Sequence, residues 1–265
     1  KGTVIAAADQ RNTHWSDWGN IDTVVRRSTD NGLTWEDPID VIDLKSQSYF
    51  SGTQSAYTID PAMIAEDENG KNPGRVWMLV DMFPESTNGS QGTWSIKETG
   101  TGYVKVDGKD YLALYDKDNN QYTLRENGEV FDKENRKTDY VVKQFEGNDE
   151  QGYHEKGDLY KSGEYVGNIY LRSTSKNNDS APLHPTQTCY LWLSYSDDDG
   201  VTWSDPVDIT PQVKADWMRF CGVGPGFGVQ LQYDEEHPGR LVFPIYYTIA
   251  GSGIGFQSSA CIYSD

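Results

Sequence analysis

The chain has 265 residues, which is long for one domain and enough to bury a substantial core. Aromatic residues make up 12% of it, and because disordered chains are poor in aromatics, wholesale disorder is excluded. The net charge of −18 opposes binding to nucleic acid or to an anionic membrane, since both need a basic surface. No run approaches the roughly 18 consecutive apolar residues of a transmembrane helix, so none is predicted.

Nearly all of the predicted elements are β-strands. They are runs rich in Val, Ile, Tyr, Thr and Trp, bounded by clusters of turn residues. In chain order the clearest are IDTVVRRS (21–28), RVWMLVDMF (75–83), YLALYD (111–116), NQYTLRE (120–126), YVGNIYLRS (165–173), CYLWLSYS (189–196), GRLVFPIYYT (239–248) and QSSACIYS (257–264). Only TPQVKADWMRF (210–220) is predicted to form a short turn or helix. Strands at this spacing indicate an all-β fold: a sandwich, a barrel or a propeller.

An eight-residue frame, Ser-x-Asp-x-Gly-x-Thr-Trp, occurs twice, at residues 28–35 and 196–203. In such a frame the Asp accepts hydrogen bonds from its own turn and the Gly supplies a positive φ. The Trp is predicted to lie buried beneath the hairpin as an apolar plug, which assigns this position to Trp35 and Trp203. A third copy is predicted to begin at Ser264. Repeated hairpins of this kind predict the blades of a propeller.

The second frame begins 168 residues after the first, from Ser28 to Ser196, which exceeds one blade repeat of about 40–50 residues. Residues 85–165 between them are polar, Gly-rich and charged, with short hairpins, and are predicted to form a β-rich subdomain inserted in a blade loop. The predicted organisation is therefore propeller residues 1–84, an inserted subdomain at 85–165, and propeller residues 166–265. Both ends are expected to lie inside a longer polypeptide, because the first residues have the pattern of a mid-strand segment and the last ones that of a strand entering a turn.

The three cysteines, Cys189, Cys221 and Cys261, are widely spaced and form no C-x-x-C pair. An odd number argues against a disulfide framework, and all three are predicted to be buried strand residues. The four histidines are scattered without metal-ligand spacing. The sequence therefore predicts no metal site and no cofactor.

The densest group of chemically active residue types is AAADQRNTHWSDWGNIDTVVRRS, residues 6–28. It contains Asp9, Arg11, Asp17 and Asp22 with two tryptophans, on a loop between two predicted strands. Loops carry binding and catalytic residues more often than strands do. From residue types alone two interpretations remain open: the acids cap turns and pair with nearby arginines, or they form a catalytic site.

This loop and the segments after it resemble the bacterial exo-sialidases of the Asp-box class. The resemblance covers nearly the whole chain, insertion included, and is carried by segments in the family's order: ADQRNTHWSDWGNID, YTIDPAMI, VDMFPE, DWMRFCGVGPGFGVQL, GRLVFPIYYT and GFQSSACIYSD. It implies an all-β, six-bladed β-propeller, only part of which lies in this chain, with an inserted β-rich subdomain. The implied activity is that of an exo-α-sialidase, a glycoside hydrolase that removes terminal α-linked sialic acid from glycoconjugates with retention of configuration.

The resemblance also assigns residues to the site, motif by motif. Asp17 is implied as the general acid–base. The implied substrate-binding residues are Arg11 and Asp60 at the O4 region of the sugar, Ile59 and Phe83 at the N-acyl pocket, and Tyr246 and Gln257 at the acyl or glycerol arms. Without the resemblance, the last four have structural interpretations as core, strand-packing or turn residues.

The implied mechanism uses a Tyr nucleophile activated by a Glu, because a carboxylate nucleophile would be repelled by the carboxylate of sialic acid. Three Arg bind that carboxylate, while the acid–base protonates the leaving oxygen and later deprotonates water. The Glu, the Tyr and the three Arg have no match here, so the chain alone is predicted to be inactive. The expected partners are the rest of the same propeller polypeptide, sialylated glycans, and free sialic acid or an unsaturated analogue as inhibitor. The expected location is outside a bacterial cell, secreted or on its surface.

Three alternatives remain. The protein would be an intramolecular trans-sialidase if the glycerol arm of the bound sugar attacked that sugar's own anomeric carbon, which gives an anhydro sugar. A propeller that keeps the pocket but lacks the nucleophile would bind sialoglycans without cleaving them. A purely structural propeller would bind no ligand.

Overall fold

The structure is a computed structural model that describes residues 2–45, 55–86, 96–144, 155–172, 180–251 and 256–264. These residues form strands and one short helix, α1 (Thr210–Val213). The strands are β1 (Val4–Arg11), β2 (Ile21–Ser28), β3 (Ile39–Ile42), β4 (Tyr57–Ala65), β5 (Val76–Phe83), β6 (Tyr103–Val106), β7 (Lys109–Tyr115), β8 (Gln121–Leu124), β9 (Glu129–Asp132), β10 (Lys137–Val142), β11 (Asp158–Lys161), β12 (Glu164–Asn168), β13 (His184–Pro185), β14 (Tyr190–Ser196), β15 (Val207–Asp208), β16 (Met218–Gly222), β17 (Gly226–Phe227), β18 (Val229–Gln230), β19 (Leu241–Ile249) and β20 (Ser258–Tyr263).

The predicted elements match these bounds with one clear exception. The all-β class is confirmed, and α1 lies where the short turn or helix is predicted. The strand predicted at 165–173 ends at Asn168 instead. Gly167 has a φ of 118°, and a Cβ there would lie 2.6 Å from the backbone of Ser180, so the chain bends where it passes close to another segment. Across the residues that the structure describes, no helix is long and apolar enough to cross a membrane.

Three antiparallel sheets repeat one strand order. The first sheet is β1-β2-β3, and the second runs β15-β14-β5-β4, with β17 added in parallel to β4. The Ser-x-Asp-x-Gly-x-Thr-Trp frames follow β2 and β14, so β1 and β2 correspond to β5 and β14. In the third sheet the order is β16-β19-β20. These three strands correspond to β4, β5 and β14 of the second sheet. Sequential meanders of this kind are the blades of a β-propeller.

A fourth sheet interrupts the second one between β5 and β14. It has eight strands in the order β12-β11-β10-β9-β8-β7-β13, with β6 also paired to β7. Two hydrogen bonds join the chain on either side of it: the Glu85 N–H donates to Tyr170 O (2.8 Å), and the Arg172 N–H donates to a Glu85 carboxylate oxygen (2.7 Å). The division of the chain at residues 85 and 165 stays a prediction.

The core explains why RVWMLVDMF is a continuous apolar run. Both faces of β5 are buried, as is typical of an inner strand. Met78, Val80 and Met82 face a cluster shared with the first sheet and the inserted sheet, whereas Leu79 faces a cluster shared with the third sheet. Phe83 belongs to a third cluster, with Ile21, Tyr57, Ile59, Ile96, Cys189 and Phe220.

The two frames fold into hairpins of the same geometry. Ser28 Oγ donates to Asp30 (2.7 Å), and the Gly32 N–H donates to Ser28 Oγ (2.8 Å). The N–H and the hydroxyl of Thr34 donate to the two oxygens of Asp30, at 2.8 and 2.6 Å. Asp30 accepts hydrogen bonds from the hydroxyl and the N–H of Thr34 and from the hydroxyl of Ser28. These bonds lower its pKa to about 2. In the second copy the same four bonds measure 2.8, 2.8, 2.9 and 2.7 Å.

The two plug tryptophans differ in burial. Trp203 is 4% exposed, as predicted, but Trp35 is 38% exposed, so the prediction is wrong for the first copy. The tip of the second hairpin packs on the first sheet: Arg27 Nε donates to Asp199 O (2.8 Å), and a Cβ on Gly200 would lie 2.9 Å from Ile5. Trp203 is therefore enclosed between two sheets. In the part of the chain that is described, no further sheet encloses Trp35 in this way.

The cysteine prediction holds for two of the three residues. Cys189, immediately before β14, and Cys221, on β16, are buried. Cys261 is exposed, so its predicted burial is wrong. It lies on β20, which pairs only with β19 among the described strands, and an edge strand leaves one side open to solvent.

Candidate functional site

The loop that connects β1 to β2 is anchored at its base and exposed at its tip. The Asn12 N–H donates to Asn20 O (3.0 Å), which closes the loop directly after the last β1–β2 pair. Trp18 packs on the third apolar cluster, and its ring lies 4.2 Å from that of His14, centroid to centroid. Trp15 is 87% exposed and the side chain of Asp17 is 81% exposed. The side chain of Asp17 is therefore accessible to a ligand, while hydrogen bonds and packing fix the base of its loop.

Arg11 links this loop to the strands. One guanidinium nitrogen lies 2.8 Å from an Asp17 carboxylate oxygen and donates to Trp15 O at 2.9 Å. The other donates to Asp9 at 3.1 Å. Asp9 and Arg11 are two residues apart on β1, and alternate side chains of a strand share a face. The second oxygen of Asp9 accepts the N–H of Asp60 at 3.0 Å, so Asp17, Arg11 and Asp60 lie in one network through Asp9.

Asp60 is placed by an irregularity in β4. The register between β4 and β5 shifts between Ile59 and Ala62, and Asp60 has a φ of 61°, in the left-handed region. A residue other than glycine in this region costs about 1–3 kcal/mol and persists only where its surroundings hold it. The Asp9 carboxylate does so through the Asp60 N–H. Strained positions and bulges of this kind cluster at functional sites.

Two carboxyl groups of this network, those of Asp9 and Asp60, have raised pKa values. Burial, and then the negative charges of Asp9 and Asp17, raise the pKa of Asp60 to about 7. Burial also raises the pKa of Asp9, although the Asp60 N–H and Arg11 oppose it. A carboxyl with a pKa of about 7 is present in both protonation states near neutral pH, which is typical of active sites.

The raised pKa of Asp60 predicts a pH dependence of stability. Between pH 4 and 7, approximately, native Asp60 binds a proton that the unfolded chain has released, so this residue's contribution to stability falls as the pH rises through that window. Asp60→Asn cannot titrate and is expected to lose less stability than the wild type between about pH 5 and about pH 8. Urea unfolding at both pH values measures the difference. Equal losses in the two proteins would contradict the assignment, and Asp9, which shifts in the same direction, is unchanged in both.

The apolar residues predicted for the site lie beneath the loop. Ile59 and Phe83 are 4% and 5% exposed and belong to the third cluster, against which Trp18 and Tyr246 pack. The ring centroids of Phe220 and Tyr246 are 4.7 Å apart. These residues form an apolar floor next to the carboxyl network. Their contact with an N-acyl group stays a prediction.

Gln257 is the least connected of the predicted residues. It is exposed and stands immediately before β20. Ser259, two residues further along, is the Cα partner of Tyr246. No contact in the described part of the chain joins Gln257 to Arg11 or Asp17, so its role also stays a prediction.

Two residues of the site were missed by the sequence reasoning. Asp81 is 1% exposed, is the Cα partner of Ile59, and accepts the Val223 N–H at 2.8 Å. Burial raises its pKa well above the usual value, and the charge of Asp60 adds to the effect. Gly222 covers it. The signal in the sequence was available: Asp81 is the one acid inside the apolar run RVWMLVDMF.

Asp22, the other acid of the loop segment, does not join the Arg11 network. Its Cα partner on β1 is Gln10, which alternates with Asp9 and Arg11, so Asp22 lies on the opposite face. It accepts a hydrogen bond from the Asn12 amide. Burial, and then the charge of Asp43, raise its pKa to about 8.

Substitution of Gly222 is expected to disturb its packing against Asp81 and against Phe220 of the apolar floor. A Cβ there would lie 2.3 Å from an Asp81 oxygen and 2.4 Å from the Phe220 ring. Gly222→Ala is therefore expected to destabilise the fold by about 1–3 kcal/mol, as overpacking does. Gly224→Ala is the matched control, because a Cβ at Gly224 meets nothing within 4 Å. Thermal unfolding of both variants measures the effect, and equal melting temperatures would show that the contact is not tight.

Comparison with known proteins gives three close likenesses. The anhydrosialidase of Macrobdella decora is 32% identical over 97% of this chain and 36% of its own length. Sialidase B of Streptococcus pneumoniae is 25% identical over 92% of this chain and 37% of its own length. The crystal structure of the intramolecular trans-sialidase from Ruminococcus gnavus, in complex with oseltamivir carboxylate, has a TM-score of 0.77 and 28% identity, over 99% of this chain and 55% of that one.

The likeness extends along the whole chain, but only along part of each relative. The chain spans a little over a third of the two curated relatives and about half of the R. gnavus structure. No protein-family model matches it.

Proposed function

Because the chain belongs to the exo-α-sialidase family, with its β-propeller fold, we propose that it carries the acid–base side of a sialidase active site. The complete polypeptide would remove terminal α-linked sialic acid from glycoconjugates with retention of configuration. The observation that carries the proposal is the exposed Asp17, held 2.8 Å from Arg11, which also binds the half-buried Asp9.

The exposure of Asp17 suits a general acid–base. An acid must reach the leaving oxygen to protonate it, and a loop carboxyl that is 81% exposed is accessible to a bound glycoside.

Arg11 and Asp60 are proposed to bind the sugar's O4 region. Arg11 supplies donors, and Asp60, with a pKa of about 7, supplies either a donor or an acceptor. The apolar floor of Ile59 and Phe83, with Tyr246 at its border, suits the N-acyl group, since contact with apolar side chains stabilises a methyl group. Gln257 is proposed to reach the acyl or glycerol arms.

The Tyr nucleophile, its Glu and the three Arg that bind the carboxylate are proposed to come from the rest of the same polypeptide. Action on external sialoglycans is the basis for proposing a secreted or cell-surface bacterial enzyme.

A second product is favoured by a specific observation. Two of the proteins that resemble this chain are an anhydrosialidase, 32% identical, and an intramolecular trans-sialidase, 28% identical. The glycerol arm of the bound sugar would then take the place of water as the attacking group, and an anhydro sugar would be released. Asp17 would serve as acid–base in either reaction.

Incubation of the complete polypeptide with sialyl-lactose, followed by mass spectrometry of the released sugar, tests both reactions. Hydrolysis gives free sialic acid, whereas intramolecular transfer gives a product lighter by one water. Release of neither would overturn the proposed activity. Saturable binding of sialyl-lactose without cleavage would then identify a sialoglycan-binding propeller, and absence of binding would identify a structural one.

A further inference from the structure

Trp15 is the most exposed tryptophan in the described part of the chain. It is 87% exposed, whereas Trp217 and Trp35 are 54% and 38% exposed. A large aromatic ring left in water forgoes the stabilisation that its burial would give. Single exposed apolar side chains are common on protein surfaces, so the position of this ring, and not its exposure alone, decides what it can do.

The backbone at Trp15 is held by the same group that holds Asp17. One Arg11 nitrogen lies 2.8 Å from an Asp17 carboxylate oxygen and also donates to Trp15 O at 2.9 Å. The next residue, Ser16, donates its N–H to His14 Nδ1 at 3.3 Å. The exposed ring is therefore attached to an anchored backbone, and a group that is positioned before binding loses less entropy when a ligand arrives.

The two tryptophans of the loop have different surroundings. Trp18 packs on the apolar cluster that contains Ile59 and Phe83, the residues proposed to bind the N-acyl group of sialic acid. Trp15 does not belong to that cluster and is open to solvent. Sialic acid bound on the floor would therefore lie on the inner side of the loop, and Trp15 would meet the part of the substrate that extends towards solvent.

The task of the acid determines which part of the substrate that is. A general acid must come within about 2.6–3.2 Å of the glycosidic oxygen, and that oxygen is bonded to a carbon of the sugar that leaves. The leaving sugar therefore begins one bond beyond the group that Asp17 protonates. Two residues of chain span at most about 7 Å, so the indole ring of Trp15 is within reach of a pyranose at this point.

An indole ring suits a neutral sugar. A pyranose presents C–H groups on its faces and hydroxyls on its edges, and an indole supplies apolar surface and one N–H donor. We propose that Trp15 binds the leaving sugar, with the indole ring against a C–H face of that sugar. The inference rests on the proposed sialidase activity and gives the Asp17 loop a second task, which is recognition of the sugar that carries sialic acid.

Two substrates of the complete polypeptide test the proposal, sialyl-lactose and α-sialyl fluoride, because only the first has a leaving sugar. Trp15→Ala is expected to lower kcat/KM for sialyl-lactose about tenfold, as loss of an aromatic contact does. For sialyl fluoride it is expected to change kcat/KM less than about twofold. Trp15→Phe keeps an aromatic ring and is expected to retain most of the activity on sialyl-lactose.

Tyr233→Ala is the matched control. Tyr233 is 94% exposed and lies between β18 and β19, away from the Asp17 loop, so its removal is expected to affect neither substrate. An unchanged kcat/KM of Trp15→Ala on sialyl-lactose would overturn the proposal. Equal losses on the two substrates would also overturn it, because they would show that Trp15 acts through the placement of Asp17.

Saturation-transfer NMR of sialyl-lactose bound to the Asp17→Asn polypeptide gives a readout that needs no turnover. Adding Trp15→Ala is expected to lower saturation of the galactose protons relative to the sialic acid protons. An unchanged ratio would count against the contact. If the wild type cleaves neither substrate, the proposed sialidase activity fails, while this ratio still decides whether Trp15 contacts the attached sugar.

Discussion

Asp17→Ala in the complete polypeptide is expected to lower turnover of sialyl-lactose by about 10²–10⁴-fold. A sugar alkoxide is a poor leaving group and needs a proton in the transition state. An aryl sialoside releases a stable anion, so formation of its glycosyl-enzyme is expected to be slowed clearly less. Because water attack also uses the acid–base, burst-phase or single-turnover kinetics are needed to separate the two steps.

Asp17→Asn is the matched variant for this test. Its amide oxygen still accepts from Arg11, but it cannot transfer a proton. The fold is expected to survive both substitutions, since the side chain of Asp17 is 81% exposed. Equal losses on the two substrates in single-turnover experiments would instead assign Asp17 a positioning role. Asp9, which contacts Arg11 at 3.1 Å, would then be the next candidate, whereas Asp22 lies on the opposite face of the sheet.

Trp203→Ala is expected to destabilise the fold by about 3–5 kcal/mol, as truncation of a large buried aromatic does. The side chain is 4% exposed and lies in the cluster between the first two blades. Urea unfolding of the full chain measures the loss. Destabilisation below about 1 kcal/mol, the ordinary range of surface substitutions, would show that Trp203 does not act as a plug.

Trp35→Ala provides the matched control. Both tryptophans follow hairpins with the same four hydrogen bonds, so the local structure removed by the two substitutions is the same. Trp35 is 38% exposed, so Trp35→Ala removes less buried apolar surface. It is expected to destabilise the fold clearly less than Trp203→Ala does. Equal costs would mean that the hairpin, and not the adjoining sheet, determines the contribution of the tryptophan.

The features that the sequence predicted correctly depend on short segments. The strand IDTVVRRS and the two hairpin frames follow from residues within a few positions of each other. Local propensity and turn chemistry are enough to specify them. The resemblance added Asp60, which is distant in sequence but meets Asp9.

The features that the sequence reasoning missed depend on distant segments. Trp35 is exposed because no adjoining sheet in the described part of the chain covers it, and Cys261 is exposed because β20 is an edge strand. The end of β12 depends on the approach of Ser180. Asp81 is covered by Gly222, which lies 141 positions further along the chain. Contacts between such segments are set by the tertiary structure and leave little trace in local patterns.

The inserted sheet has a consequence for how the second blade forms. Met82 on β5 and Tyr190 on β14 are paired although 108 positions separate them in the chain. Closing a loop of that length is entropically costly, and contacts of high sequence separation slow folding. If the inserted sheet forms first, the Glu85 contacts with Tyr170 and Arg172 bring its two ends together. The effective loop between β5 and β14 is then only a few residues long on each side. Pairing of these two strands is therefore expected to be as fast as formation of an ordinary hairpin.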